Sequence, residues 1–313
     1  HRGRTRAERH PHLPQPLTPM KRTLLLALAL WLAAAACARP DTVYVAHKAA
    51  HTPRVERAGG PAVESRPMPG DTLTADGICF VRLPRLQLVL CIGQSNMAGR
   101  GPMDAEAADT LRCVYLFNGD GFERAVEPMN RYSTVRKELG MQRVGPAGGF
   151  AARYAAATEA PVGIVVNARG GSSIDEWLPG SETDYLTKAV ERIRAASDWG
   201  DVVAVLWHQG EADSAHPERY EAKLRRLIGI LRTELGNPAL PVVFGEIAHW
   251  NWTRRAEGTE PFNAMLRSLR IPHTACVTAE GLEPMKDETD PHFSAPSQRE
   301  LGRRYAEALL KLQ

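Results

Sequence analysis

The chain has 313 residues, 43% of them hydrophobic and 24% charged, with a formal net charge of +3. That composition excludes a disordered or fibrous protein and supplies enough apolar side chains for one sizeable core. The small positive charge is no argument for nucleic acid either. Residues 1–36 hold six lysines and arginines and one acidic residue, so without them 33 cations face 35 anions, a net charge of about −2.

The first feature along the chain is a leader. From Met20, the cations Lys21 and Arg22 precede an apolar stretch from Leu24 to Ala36, and small residues stand before Cys37. Cations, a short apolar core and a small-residue exit are the layout of a secretory signal, and the stretch falls short of the about 20 apolar residues that span a membrane. Residues 20–36 are therefore expected to be a signal peptide, and the methionine-free residues 1–19 to be upstream read-through. Cys37 follows Ala34-Ala35-Ala36, which leaves two outcomes open: a lipid-bearing cysteine that tethers the protein to a membrane, or ordinary cleavage nearby. In both cases the protein is expected to be exported, to the periplasm, the cell surface or the medium.

Residues 37–79 read as a linker or tether. They carry Pro40, Pro53, Pro61, Pro67, Pro69 and the pair Gly59-Gly60, among scattered charges without apolar periodicity. Of the remaining cysteines, at 79, 91, 113 and 276, some can oxidise in an exported protein, but spacing does not name the pairs. No Cys-x-x-Cys, His-Glu-x-x-His or calcium loop is present, so neither a metal nor another cofactor is expected.

From about residue 80 to 313 the pattern alternates, as in one α/β domain. Leu86 to Ile92 is a nearly continuous apolar run, the signature of a strand buried on both faces. Similar runs follow at Val114 to Phe117, Val162 to Val166, Val202 to Leu206, Val242 to Ile247 and Thr274 to Val277. Between them lie amphipathic segments. In Pro217 to Leu235, the residues Tyr220, Leu224, Leu227, Ile228, Leu231 and Leu235 recur at steps of three and four, with Asp213 or Ser214 as the expected cap. After Ser294, Leu301, Tyr305, Ala308 and Leu312 share one side of a last helix. Strands alternating with such helices predict a parallel sheet between two helical layers, with the functional loops at the carboxyl ends of the strands.

Four polar blocks stand at those ends. The first strand runs into Gly93-Gln94-Ser95-Asn96-Met97-Ala98-Gly99, a tight turn that exposes the Ser95 hydroxyl with its own amide nearby, as a nucleophilic serine requires. An isolated Gly-x-Ser is also compatible with a polar turn or a helix cap. The second block, Asn167 to Trp177, contains Gly170-Gly171, whose backbone a ligand can approach closely. Trp207-His208-Gln209-Gly210-Glu211-Ala212-Asp213 is the third, and Lys286 to Ser294, with His292, is the fourth. A histidine on the loop into the final helix can reach back to a serine at the first strand.

The segment GQSNMAGRG, Gly93 to Gly101, resembles the nucleophile block of the SGNH hydrolases, specifically the sialate O-acetylesterase domain and its relatives in carbohydrate esterase family six. The third block is similar to the family's WHQGE-x-D segment, and Ser297 to Ala306 to its closing segment, so the likeness spans Gly93 to Ala306. It implies a three-layer α/β/α sandwich with a parallel, flavodoxin-like sheet. It also implies Ser95 as nucleophile, His292 as general base, and an oxyanion hole formed by the amides of Ser95 and Gly171 with the Gln209 side chain. His208 is expected to be a structural, hydrogen-bonded residue, and Asp213 a helix cap. One departure stands out: these enzymes place an aspartate three residues before the histidine, and here that position is Thr289. Asp290 ranks first for the third triad role, with Asp287 and Glu211 as alternatives.

The substrate implied by the resemblance is an acetylated carbohydrate, on sialic acid or a xylan-type glycan. Trp177, Trp250 and Trp252 are candidates for stacking on sugar rings, with Trp250 and Trp252 as the expected substrate rim. Two other readings remain: a lipid esterase or thioesterase of the same fold, or a glycan-binding surface lipoprotein without turnover.

Overall fold

A computed structural model describes residues 42–48, 72–73 and 78–313. The leader at 20–36, the residues before it and Cys37 lie outside the described residues. Strands β1 (Thr42–Lys48), β2 (Thr72–Leu73) and β3 (Ile78–Pro84) form an antiparallel sheet in the order β1-β3-β2, with Thr42 opposite Pro84 and Thr72 opposite Phe80. Two of these strands fall inside the stretch expected to be a linker. Thr42-Val43-Tyr44-Val45 is rich in β-branched and aromatic residues, which favour a pleated surface, a local signal outweighed in the sequence by the surrounding prolines and glycines.

The main sheet contains β4 (Leu86–Gly93), β5 (Val114–Phe117), β6 (Phe122–Arg124), β7 (Val162–Val166), β8 (Gly200–His208), β9 (Val242–Gly245) and β10 (Thr274–Val277). Its order is β10-β9-β8-β4-β7-β5-β6, with every neighbouring pair parallel except β5 and β6. Counted in chain order, the parallel strands lie two-three-one-four-five-six across the sheet. This differs from the flavodoxin order of two-one-three-four-five by exchange of the first and third strands.

The helices are α1 (Ser95–Ala98), α2 (Pro146–Thr158), α3 (Tyr185–Ala196), α4 (Pro217–Glu234), α5 (Glu260–Ser268) and α6 (Ala295–Leu310). They form the two outer layers of the expected three-layer sandwich. The central strand β4 shows why its sequence is apolar at every position but Gln87. Leu88, Leu90 and Ile92 join the core under α3, α4 and α5, with Val190, Leu224 and Phe262. Val89 and Cys91 point the other way and pack with Phe150 of α2 and with Leu301 and Tyr305 of α6. Alternate side chains of one strand thus serve two cores.

The order also positions the polar blocks. β4 lies between β7 and β8, with Cys91 level with Val166 and Gly93 level with His208, so the first three blocks emerge side by side at the sheet's carboxyl edge. The expected cap of α4 is a correction. The helix starts at Pro217 behind His216, with no side-chain cap. Proline at the first position has no N–H of its own, so one fewer donor is left unpaired at this end. Ser294 does cap α6, accepting from the Ser297 amide at 3.4 Å.

Candidate active site

β4 can turn abruptly into α1 because Gly93 has φ +135° and no side chain; a Cβ there would overlap the His208 carbonyl on β8. The Gln94 amide donates to that same carbonyl at 2.9 Å. Ser95 therefore opens a helix at the mouth of the sheet, 7% exposed. Its Oγ lies 2.9 Å from His292 Nε2, and His292 Nδ1 lies 2.6 Å from Asp290 Oδ1. A carboxylate oxygen can only accept, so Nδ1 carries the ring proton of a neutral imidazole and Nε2 is free to accept from the serine hydroxyl. Burial lowers the His292 pKa; Asp290 opposes this, while Arg100 and Lys286 add to it. The net shift is downward, so the imidazole is neutral at neutral pH.

The departure at Thr289 has a compact solution. Asp290 Oδ1 also accepts from the His292 backbone amide, at 3.0 Å, so the carboxylate folds back over Pro291 in a tight Asp-Pro-His turn. Asp287 points elsewhere: it is fully exposed and accepts from the Thr289 amide at 2.8 Å and the Thr289 hydroxyl at 2.6 Å. Glu211 is buried and accepts from Asn96 Nδ2 at 2.5 Å. Neither alternative acid is hydrogen-bonded to His292.

The second block passes over the serine. A Cβ on Gly170 would overlap the Arg100 guanidinium and lie 3.7 Å from Ser95 Cβ, whereas Gly171, with φ +78°, has Lys137 Nζ as its neighbour. Of the two glycines, Gly170 is the one whose added Cβ would come within 4 Å of Ser95. Gln209 corrects another expectation. Its Nε2 donates to Gln94 Oε1 at 3.0 Å, Ser172 O at 3.1 Å and Asp213 Oδ2 at 2.6 Å, while its Oε1 accepts from the Tyr220 hydroxyl at 2.8 Å. With two hydrogens already shared among three acceptors, this amide has none left for an oxyanion in this arrangement; it ties the first three blocks together. Asp213 caps no helix because its carboxylate accepts from the Ile174 amide at 2.9 Å as well as from Gln209. His208 is structural as expected: it is buried, its Nδ1 is 2.9 Å from the Tyr305 hydroxyl, and burial lowers its pKa to about 3.

Of the three tryptophans, Trp177 departs from expectation. Trp177 is buried, with its indole nitrogen donating to Ser172 Oγ at 2.8 Å, so it offers no face to a sugar. Trp250 is half-buried, donates to the Asp290 carbonyl at 2.7 Å and sets its ring edgewise against Phe293 at 5.4 Å. Its contacts support the His292 turn. Trp252, also half-buried, packs against both cores.

Asn96 has no role in the sequence reading, yet the structure places it, wholly buried, between the nucleophile block, Glu211 and the His292 turn. The available signal was a carboxamide next to the serine at a strand end, where a buried amide must find partners. Among the described residues, no group of three His, Cys, Asp or Glu side chains is placed to hold a metal ion, and no helix is long and apolar enough to cross a membrane.

Residues 85–311 match the family model described as "Carbohydrate esterase, sialic acid-specific acetylesterase". The chain belongs to this family. It is 32% identical over 254 residues to a probable carbohydrate esterase of Arabidopsis thaliana, an alignment covering 73% of this chain and 92% of the relative. The X-ray structure of that Arabidopsis protein superposes on the esterase with a TM-score of 0.63 at 28% identity, over 73% of this chain and 99% of the other. NanS, with a TM-score of 0.54 at 17% identity, and a carbohydrate acetylesterase from Xanthomonas citri, with 0.53 at 20%, share the fold. They cover 72% and 75% of the esterase, and 97% and 58% of their own chains.

Proposed function

We propose that the esterase removes O-acetyl groups from a carbohydrate, with Ser95 as nucleophile, His292 as general base and Asp290 as the carboxylate that orients it. The observation that carries this reading is the unbroken hydrogen-bonded series from Asp290 Oδ1 through the His292 ring to Ser95 Oγ, with spacings of 2.6 and 2.9 Å. His292 takes the serine proton as Oγ attacks the acetyl carbonyl, and Asp290 stabilises the resulting imidazolium. The carbonyl oxygen's new charge falls to the backbone amides of Ser95 and the Gly170-Gly171 turn, donors that need not reorganise during the reaction. His292 then returns the proton to the departing sugar oxygen. Water, activated by the same imidazole, releases acetate from the serine ester.

Membership of the carbohydrate esterase family supports the carbohydrate part, and the leader before Cys37 supports export, by cleavage alone or with a lipid on Cys37. The mass of the native N-terminus decides between these two forms; retention of Met20 would refute export by cleavage. Function is tested by acetate release from O-acetylated sialic acid and from acetylated xylan, side by side, with Ser95→Ala as control. Release from at least one glycan is expected, with a loss of about 10³- to 10⁶-fold in the folded variant. Near-parental turnover by Ser95→Ala would refute the mechanism. A rate rising steeply with acyl chain length, without release from either glycan, would move the substrate to lipids.

A further inference from the structure

We propose that Asn96 and Glu211 form a buried positioning device for His292: the Asn96 carboxamide holds the backbone on both sides of the histidine, and Glu211 fixes the carboxamide in the orientation that does so. The proposal rests on the catalytic reading of Ser95, His292 and Asp290 given above.

Asn96 Nδ2 donates to the Pro291 carbonyl at 3.1 Å, immediately before His292, and Oδ1 accepts from the Phe293 amide at 3.3 Å, immediately after it. One side chain therefore brackets the base. The same side chain belongs to the residue that follows Ser95 in α1. The spacing of nucleophile and base is thus set by one peptide unit at one end and two hydrogen bonds at the other.

The remaining capacity of the carboxamide is also used. Nδ2 donates to Glu211 Oε1 at 2.5 Å, and Oδ1 accepts from Gln298 Nε2 at 3.0 Å. Reversing the amide would set its N–H groups against the Phe293 and Gln298 donors and its oxygen against the Pro291 carbonyl and the Glu211 carboxyl. A half-satisfied buried amide is costly, so Glu211 and Gln298 together leave a single orientation. On the far side of the turn, Trp250 holds the Asp290 carbonyl.

Glu211 does not serve as the partner of another charge. His208 Nε2 stands 3.8 Å from Oε1, but burial keeps that ring neutral. Asp213 and the Tyr220 and Tyr305 hydroxyls also belong to its titratable surroundings, and the Asp213 charge adds to burial in raising its pKa. Burial, opposed by its own backbone N–H and by Asn96, pushes Glu211 up to about 7. A buried carboxyl without a cation is an expensive feature to keep, and the contact that uses it is the short bond to Asn96.

The test is a variant series assayed for acetate release, with thermal unfolding followed throughout. Asn96→Ala and Glu211→Leu are expected to lower kcat about 100-fold with KM little changed, the scale of a catalytic group misplaced by about 1 Å. Glu211→Gln, which retains an acceptor for Asn96, is expected to recover at least about tenfold of the Glu211→Leu loss. Asn96→Asp keeps the acceptor for Phe293 but opposes the Pro291 carbonyl and Glu211, so it is expected to lose kcat even if Asn96→Ala fails to fold. The kcat/KM profile supplies a readout that lost stability alone would not move. Burial is the main cause of the low His292 pKa, so a loosened, better hydrated ring beside Asp290, Arg100 and Lys286 should titrate higher. Parental kcat in a folded Asn96→Ala, Asn96→Asp or Glu211→Leu protein would overturn the proposal, as would a Glu211→Gln enzyme as slow as Glu211→Leu. Ser95→Ala is run alongside: turnover in that variant would overturn the catalytic reading beneath it instead.

Discussion

Exchanging Asp290 for asparagine is expected to lower kcat for acetyl-ester hydrolysis about 1,000-fold without disturbing the fold. In the proposed reaction, His292 is an imidazolium as Ser95 attacks and faces the Asp290 carboxylate across a 2.6 Å contact. Two such charges centred about 4 Å apart attract by about 4 kcal/mol at an effective dielectric of about 20, and about 1.4 kcal/mol is tenfold in rate. The geometry also says why the loss should stop there. Asp290 Oδ1 accepts from both the His292 backbone amide, at 3.0 Å, and Nδ1. A carboxamide in its place must turn its oxygen toward that backbone N–H, so Nδ1 still finds an acceptor and the ring keeps its productive tautomer. Asp290→Ala removes the acceptor as well and is expected to lose about 10⁴, the scale of a triad whose histidine is wrongly held. Asp287→Asn, on the exposed side of the loop, is expected to leave kcat unchanged. Initial rates on p-nitrophenyl acetate at mildly alkaline pH, beside thermal unfolding curves, check all three. An Asp290→Asn enzyme within about tenfold of the parent would refute the electrostatic argument, and an equal loss in Asp287→Asn would refute the assignment.

The pH dependence follows from the downward shift of His292 from its ordinary value of 6.5. The base must be unprotonated, so kcat/KM should rise through a midpoint below 6.5 and stay high above it; a midpoint above 6.5 would contradict the buried, neutral imidazole. Gly93→Ala tests the turn into α1: a side chain in that left-handed conformation against the His208 carbonyl should cost at least about 2 kcal/mol in denaturant unfolding and remove activity. Parental stability in that variant would show that the turn does not need glycine.

Much of the fold is legible in the sequence because of one physical constraint. A parallel strand covered by helices on both faces has to be largely apolar, and Val114–Phe117 and Val162–Val166 are strands at the residues where uninterrupted apolar runs stand. Polar blocks that directly follow such runs must lie at the sheet's carboxyl edge, so Ser95 and Gln209 are placed on the same edge before any contact is known. The antiparallel edge strand Phe122–Arg124 is too short to announce itself by periodicity. Neighbour order is not local either: that β4 lies between β7 and β8 depends on crossovers whose ends are level only in the folded sheet.

Side-chain direction in the loops depended mostly on tertiary packing. Asp287 and Asp290 lie three residues apart in the same polar loop; nearness to His292 favours Asp290, but local sequence does not fix which carboxylate is held against the ring. The turn is held by Trp250 on the Asp290 carbonyl and by Asn96 on the Pro291 carbonyl, contacts that span 40 and 195 residues of chain. The Gln209 carboxamide is likewise claimed by Gln94, Ser172 and Asp213, and Trp177 is buried against Tyr185 and Trp207 with its indole N–H on Ser172. Residue type limits which bonds a polar group can make, but which bonds it does make depends on the partners that folding brings within about 3 Å. The chemistry carried by the blocks was therefore written in the sequence, while the orientation that joins Ser95, His292 and Asp290 exists only in the folded chain.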